Sequence, residues 1–84
     1  MYWIAKIEVM LKGTVLDPQG AAVKNALETM GWCEVKEVRV GKYLEVELQE
    51  EDASKAGEKV EEMCRRLLTN PVIEEYRYTL QEVD

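Results

Sequence analysis

Hydrophobic and polar residues alternate from the start of the chain. Over residues 2–12, Trp3, Ala5, Ile7, Val9 and Leu11 share one parity, while Lys6 and Glu8 fall on the other. A period of two predicts a half-buried strand, which Gly13 and Thr14 end. The period then changes. Val23, Ala26, Leu27 and Met30 recur at the spacing of one helical face, predicting a helix over about 18–30. Its start is written out in full. Asp17 is suited to accept hydrogen bonds from the orphan amides of the first turn, and Pro18 fits the first helical position, where no N–H is needed. Gly31 supplies the left-handed stop.

Residues 33–50 return to a period of two. Val38 and Val40 share parity with Leu44, Val46 and Leu48, which predicts a β-hairpin around Gly41. A two-residue Gly41-Lys42 turn would set Val38 against Glu45 and mix the faces. The pattern therefore favours a longer connection or a bulge at Gly41. A second helix starts at an Asp52 cap and carries an apolar stripe of Ala56, Val60, Met63, Cys64, Leu67 and Leu68. Asn70-Pro71 ends it, because a residue before proline avoids the helical region. The last segment, VIEEYRYTLQEV, alternates with Tyr76, Tyr78 and Leu80 on one side, a fourth strand. The predicted order is β-α-β-β-α-β in a single domain, residues 1–84. That is an α+β, two-layer, ferredoxin-like arrangement with an antiparallel sheet and both helices on one face. The other face would carry Tyr2, Ile4, Met10 and Tyr43 among charges.

Composition narrows what such a domain does. An 84-residue fold buries a modest core, so association with itself or a larger partner is a natural expectation. The net charge of −6 opposes phosphate backbones and anionic membranes, so neither nucleic acid nor membrane is expected as a partner. Histidine is absent, which removes the usual neutral-pH general base and the commonest metal ligand. The two cysteines, Cys33 and Cys64, form no CxxC pair and suit a reducing, cytoplasmic setting; Cys64 falls on the apolar helix face. The N-terminal run is interrupted by Lys6 and Glu8 and lacks a cleavage site, so it reads as a strand and not as a secretion signal. No nucleophile has a marked base beside it, and no Walker-type phosphate loop is present. No catalytic, cofactor-binding or metal-binding residue is therefore expected. The many carboxylates fall mostly at exposed positions.

Three loop features remain. One is Asp17, Pro18, Gln19 and Gly20. A second is Arg39, Gly41 and Lys42 with the adjoining Tyr43, two cations around a glycine in an acidic chain. They suit an acidic partner surface and equally a solvated hairpin tip. The third is Asn70 and Pro71.

The stretches LDPQGAAV, VRVGKYLEVEL and MCRRLLTNPVIEEYRY, in this order and at this spacing, resemble the family of small PurS subunits of phosphoribosylformylglycinamidine (FGAM) synthase. The similarity runs from the first strand through Tyr78. The resemblance implies a role in purine synthesis, where an ATP- and glutamine-dependent complex converts formylglycinamide ribonucleotide to FGAM. It further implies a homodimer or higher homo-oligomer that bridges two partners: a large synthetase subunit of the PurL type and a glutaminase subunit of the PurQ type. ATP and magnesium would sit on the large partner and none on this chain, and ammonia would pass between the partners' sites. On this reading the ten loop residues Asp17, Pro18, Gln19, Gly20, Arg39, Gly41, Lys42, Tyr43, Asn70 and Pro71 are candidate partner contacts. A rival reading with the same element order is a regulatory module that binds a small ligand at a dimer interface.

Overall fold

The computed structural model describes residues 1–83; Asp84, the last residue of the expected domain, lies outside them. Strand β1 (Tyr2–Leu11) is central, flanked by β2 (Gly41–Gln49) and β3 (Glu74–Val83) in the order β2-β1-β3, both antiparallel to it. The alternating parity sets the register. Ala5 lies between Val46 and Leu80, and Ile7 between Leu44 and Tyr78. Each apolar residue of β1 thus meets apolar residues on both sides of one sheet face, the cross-strand unit of sheet stability.

Helix α1 (Pro18–Thr29) links β1 to β2, and α2 (Ala53–Met63) links β2 to β3. Both begin at an aspartate cap: Asp17 accepts from the Gly20 amide and Asp52 from the Lys55 amide. Gly31, at φ 107°, ends α1. There the Gly31 amide reaches the Glu28 carbonyl and the Trp32 amide reaches Leu27, each at 3.0 Å, satisfying two otherwise orphaned carbonyls. Beyond Met63 the helix widens into a π turn over Cys64–Leu68. The Thr69 amide and hydroxyl both donate to the Cys64 carbonyl, at 3.0 and 2.7 Å.

The core lies between α2 and the sheet. Ala56, Val60 and Cys64 are buried against Ala5, Ile7 and Val9, with Leu68, Tyr76, Tyr78 and Leu80 packed around them. The Trp3 indole N–H donates to the Glu50 carbonyl at 3.2 Å, and Lys59 Nζ lies 2.5 Å from the Glu50 carboxylate. Together these tie the end of β2 to β1 and α2. The α+β class, the antiparallel sheet and the two helices agree with the expectation.

Three details differ. Leu67, expected in the α2 stripe, is 82% exposed. The π turn adds a residue to the last helical turn, keeping Leu68 on the core and rotating Leu67 outward. Residues 33–40 form no ladder, so the hairpin around Gly41 is replaced by chain running straight from Val40 into β2. Gly41 does not adopt a positive φ, so no tight glycine turn forms there. Finally, of the two helices it is α2 that packs closely on the sheet, against β1 and β3. Helix α1 buries Gly20 alone and leaves the apolar face of β2 half-covered. The described chain is correspondingly elongated, 51 × 29 × 14 Å. Its radius of gyration is 16.5 Å, where a compact chain of this length would have about 12 Å.

Candidate docking end of the sheet

The three loop features meet at one end of the sheet, where β1 finishes and β2 and β3 begin. Asp17 organises this end. One carboxylate oxygen accepts from the Gly20 amide at 2.9 Å and caps α1; the other accepts from the Val40 amide at 2.8 Å and holds the chain entering β2. These two backbone donors, Gly20 first, hold the Asp17 carboxyl below its ordinary 3.8, with Arg39 adding to the effect and partial desolvation opposing it. Gly20 is required by this contact. A Cβ there would overlap the Val38 carbonyl oxygen and stand 2.7 Å from the Asp17 carboxylate. The cap therefore does more than start a helix. It fixes the angle at which α1 leaves the sheet.

Gln19, Gly41 and Lys42 share a concavity of about 230 Å³ with Val9, Leu11, Val40 and Glu74. Pro18, Gln19 and Lys42 face solvent. Arg39 is less free than a solvated hairpin tip would make it. Its guanidinium donates to the Leu11 carbonyl and lies 3.9 Å from the Glu75 carboxylate, so it braces β1 against the 38–40 segment. Asn70 and Pro71 form the adjoining turn. The Asn70 side-chain oxygen accepts from the Val72 amide at 3.1 Å, and the Glu74 carboxylate accepts from the Asn70 amide at 2.7 Å. The Lys12 amide, donating to the Ile73 carbonyl at 2.8 Å, ties this turn to the end of β1. Tyr43 is the exception. It lies on the sheet face away from α2, opposite Glu8, with its hydroxyl donating to Glu45 at 3.0 Å. Desolvation first, and the Glu45 carboxylate second, raise its pKa.

Two further residues at this end lie outside the three loop features. Leu16 and Val72 are 80% and 77% exposed, on the two loops joined by the Lys12–Ile73 hydrogen bond. Isolated apolar residues in predicted loops, in TVLDP and NPVIEE, were the available signal. A concavity of about 380 Å³ is lined by Glu8, Met10, Arg39, Glu75, Tyr76 and Arg77. There Arg77 donates to Glu8 at 2.7 Å across the strands. That pairing depends on register, which spacing alone does not supply. No group of three or more His, Cys, Asp or Glu side chains able to hold a metal lies together among the described residues.

The sequence matches the model of the family described as PurS: Phosphoribosylformylglycinamidine (FGAM) synthase, over residues 4–82. The chain belongs to the PurS family. Among PurS relatives, the FGAM synthase subunit from Bacillus subtilis is 50% identical over 78 residues, spanning 93% of this chain and 92% of that one. The crystal structure of Methanocaldococcus jannaschii PurS, described as one of the subunits of formylglycinamide ribonucleotide amidotransferase, matches all of both chains. It does so with a TM-score of 0.87 at 39% identity. A chain of the PurLQS structure from Thermotoga maritima matches with a TM-score of 0.88 at 33% identity, covering 96% of this chain and 99% of that one. As a PurS-family member, this chain is a small subunit of FGAM synthase, a ligase of purine biosynthesis.

Proposed function

We propose that this chain serves FGAM synthase as a bridge without an active site of its own. It would hold a large synthetase subunit of the PurL type, which carries ATP and magnesium, to a glutaminase subunit of the PurQ type, so that ammonia passes between them. The match over 99% of a chain from the PurLQS assembly is the observation that carries this reading. The docking end gives it a physical form. Asp17 and Arg39 are spent on holding loops in place, while Lys42, Gln19, Leu16 and Val72 remain presented to a partner. Rigid presentation of a few side chains lowers the entropy cost of binding. Purine synthesis as a setting and the two unpaired cysteines are consistent with work in the cytoplasm; among the described residues no helix is long and apolar enough to cross a membrane.

The test is reconstitution. The chain should co-purify with PurL-type and PurQ-type subunits in the presence of ADP, magnesium and glutamine, and it should be required for glutamine-dependent FGAM formation. Lys42→Glu should keep its thermal unfolding midpoint but weaken assembly about tenfold, the cost of one opposed rim charge. Full assembly with that variant would remove Lys42 from the contact; failure of the unmodified chain to assemble would end the proposal. A thermal shift of the isolated chain by amino acids or nucleotides would favour the small-ligand module instead.

A further inference from the structure

Resting on the reading of this chain as a bridging subunit, we propose that the shoulder where α2 turns towards β3, residues 63–73, docks an acidic amphipathic segment of a partner subunit. An apolar side chain of that segment would enter the concavity beside Met63 and Leu67, and its carboxylates would meet Arg65 and Arg66.

Charge and composition single this stretch out. The chain carries 17 Asp and Glu and a net charge of −6, yet no carboxylate occurs from Met63 through Ile73, the longest such run in the sequence. The run also lacks Lys, Ser and Ala. These five residue types are the ones depleted at protein interfaces, where Arg and Met are enriched. Arg65 and Arg66 are its only charged residues, and both are exposed. The flanking carboxylates are engaged. Glu61 accepts from the Tyr76 hydroxyl, and Glu74 accepts from the Asn70 amide. Glu62 meets Arg66 at 2.9 Å, in a water-exposed pair of the kind that contributes little. Arg65 pairs with no carboxylate among the described residues. Two guanidinium groups one residue apart, with little local negative charge to satisfy them, suit bidentate contact with a partner's carboxylates.

The π turn supplies the apolar part. At ordinary helical spacing Leu67 would join Val60 and Cys64 on the core side. The widened turn, closed by the Thr69 amide and hydroxyl on the Cys64 carbonyl, turns it out to water instead. Such insertions are frequent at functional sites. Beside Leu67 a concavity of about 430 Å³ is lined by Lys59, Glu62, Met63 and Arg66. In the turn that follows, Val72 and Ile73 are exposed as well, and that turn is held by Asn70 and by the Lys12 amide on the Ile73 carbonyl. Cations in the last turn of a helix complement its dipole. That accounts for Arg65 and Arg66 but not for a leucine turned outward next to them. A protein segment that combines carboxylates with an apolar side chain answers both features. A phosphate backbone answers neither well, since two cations on a chain of net charge −6 release few counterions.

Assembly of the full chain with the PurL-type and PurQ-type subunits tests this, read by sedimentation and by glutamine-dependent FGAM formation. Two variants are compared with the unmodified chain: Arg65→Gln with Arg66→Gln, and Leu67→Gln alone. Glutamine is a good helix former and these positions are exposed, so both variants should keep their Tm and the sedimentation of the isolated chain. Each should weaken assembly about tenfold, the scale of an interface hot spot, and a higher concentration of the variant should restore the full rate. Loss of the arginines should also flatten the salt dependence of assembly, while Leu67→Gln should leave it unchanged. Assembly of both variants at the unmodified strength would overturn the proposal. So would a lowered Tm in both, which would make these residues structural. Altered sedimentation of the isolated variants would overturn it too, because the shoulder would then pair two copies. Failure of the unmodified chain to assemble would instead refute the bridging role on which the proposal rests.

Discussion

The same substitution, glycine to alanine, should have opposite effects in the two helices, and the structure supplies the sign. Gly57 lies within α2, half-buried over the sheet. A methyl group there would stand 3.5 Å from the Tyr78 hydroxyl oxygen and 3.7 Å from Leu80 Cδ1, ordinary van der Waals distances. Nothing has to move, and the Gly57 carbonyl, which accepts from the Tyr78 hydroxyl at 3.4 Å, keeps its place. Alanine is better than glycine inside a helix by about 1 kcal/mol, mainly by restricting the unfolded chain. Half-burial of the methyl adds a few tenths more, on the order of half the ~0.8 kcal/mol of a fully buried CH₂. The sum is about 1.4 kcal/mol, or a rise of roughly 6–11 °C in Tm for a domain of this size. At Gly20 a methyl would run into the Val38 carbonyl oxygen, a backbone atom that cannot rotate away. Overpacking of this kind costs about 1–3 kcal/mol, and the helical gain is smaller in the first turn, so Gly20→Ala should lower Tm. Both variants are read by urea and thermal unfolding at one protein concentration, since association shifts apparent stability. A lower Tm for Gly57→Ala would show that α2 does not lie over Tyr78 and Leu80 as described. A higher one for Gly20→Ala would separate α1 from the 38–40 segment.

Stability should also fall in acid. Asp17 is held below its ordinary 3.8 by the Gly20 and Val40 amides, and Glu50 below 4.5 by Lys59 first and the Glu51 amide second. Groups with lowered folded-state pKa stabilise above their unfolded values and lose that contribution as pH falls through the folded ones. Tm should therefore hold from pH 7 to about 5 and drop below about 4, a drop that Asp17→Asn makes shallower. At the alkaline end, the Glu61 carboxylate and burial push Tyr76 up to about 12 from 10.0, so its contribution should survive to pH 10 and disappear as pH approaches 12. Burial likewise raises the Cys64 thiol; it should resist iodoacetamide at pH 7.5 until urea unfolds the chain, and rapid labelling of native Cys64 would contradict the α2 packing.

Much of this fold is legible as period and punctuation, and what is not shares one cause. Trp3, Ala5, Ile7 and Val9 announce their strand because β1 is paired on both sides and one of its faces is covered within the chain. The caps at Asp17 and Asp52 are local, and both stand where the sequence puts them. Residues 33–40 carry an equally good strand pattern yet pair with nothing. Alternation records that a segment will be half-buried and says nothing about which chain buries it. Val23 and Met30 read as core for the same reason. Among the candidate contacts, Lys42 and Gln19 proved presented and Arg39 proved bound to the Leu11 carbonyl, a distinction that rests on the tertiary approach of residues far apart in sequence. Leu67 escapes the helical spacing because the last turn widens, with the Cys64 carbonyl accepting from both the Thr69 amide and hydroxyl, an insertion that a 3.6-residue period does not anticipate.

Among the described residues the buried hydrophobic core amounts to Trp3, Ala5, Ile7, Val9, Ala56, Val60 and Cys64, of which three are alanine or cysteine. Few large side chains are removed from water against the conformational entropy of ordering 84 residues. If two copies associate, a stable fold draws on area buried between them, and folding becomes coupled to association. The coupling has a numerical signature. If two chains of 84 residues unfold and separate together, the unfolding entropy is about 0.35 kcal/mol/K at roughly 2.1 cal/mol/K per residue. Each tenfold rise in concentration adds about 1.4 kcal/mol by mass action, so Tm should climb by about 4 °C per decade. Calorimetry over a hundredfold range should therefore find a displacement near 8 °C, about twice that step. A constant Tm across the range would mean that the seven residues of the core suffice alone, and that the exposed stripe of α1 serves the partner subunits and not a second copy.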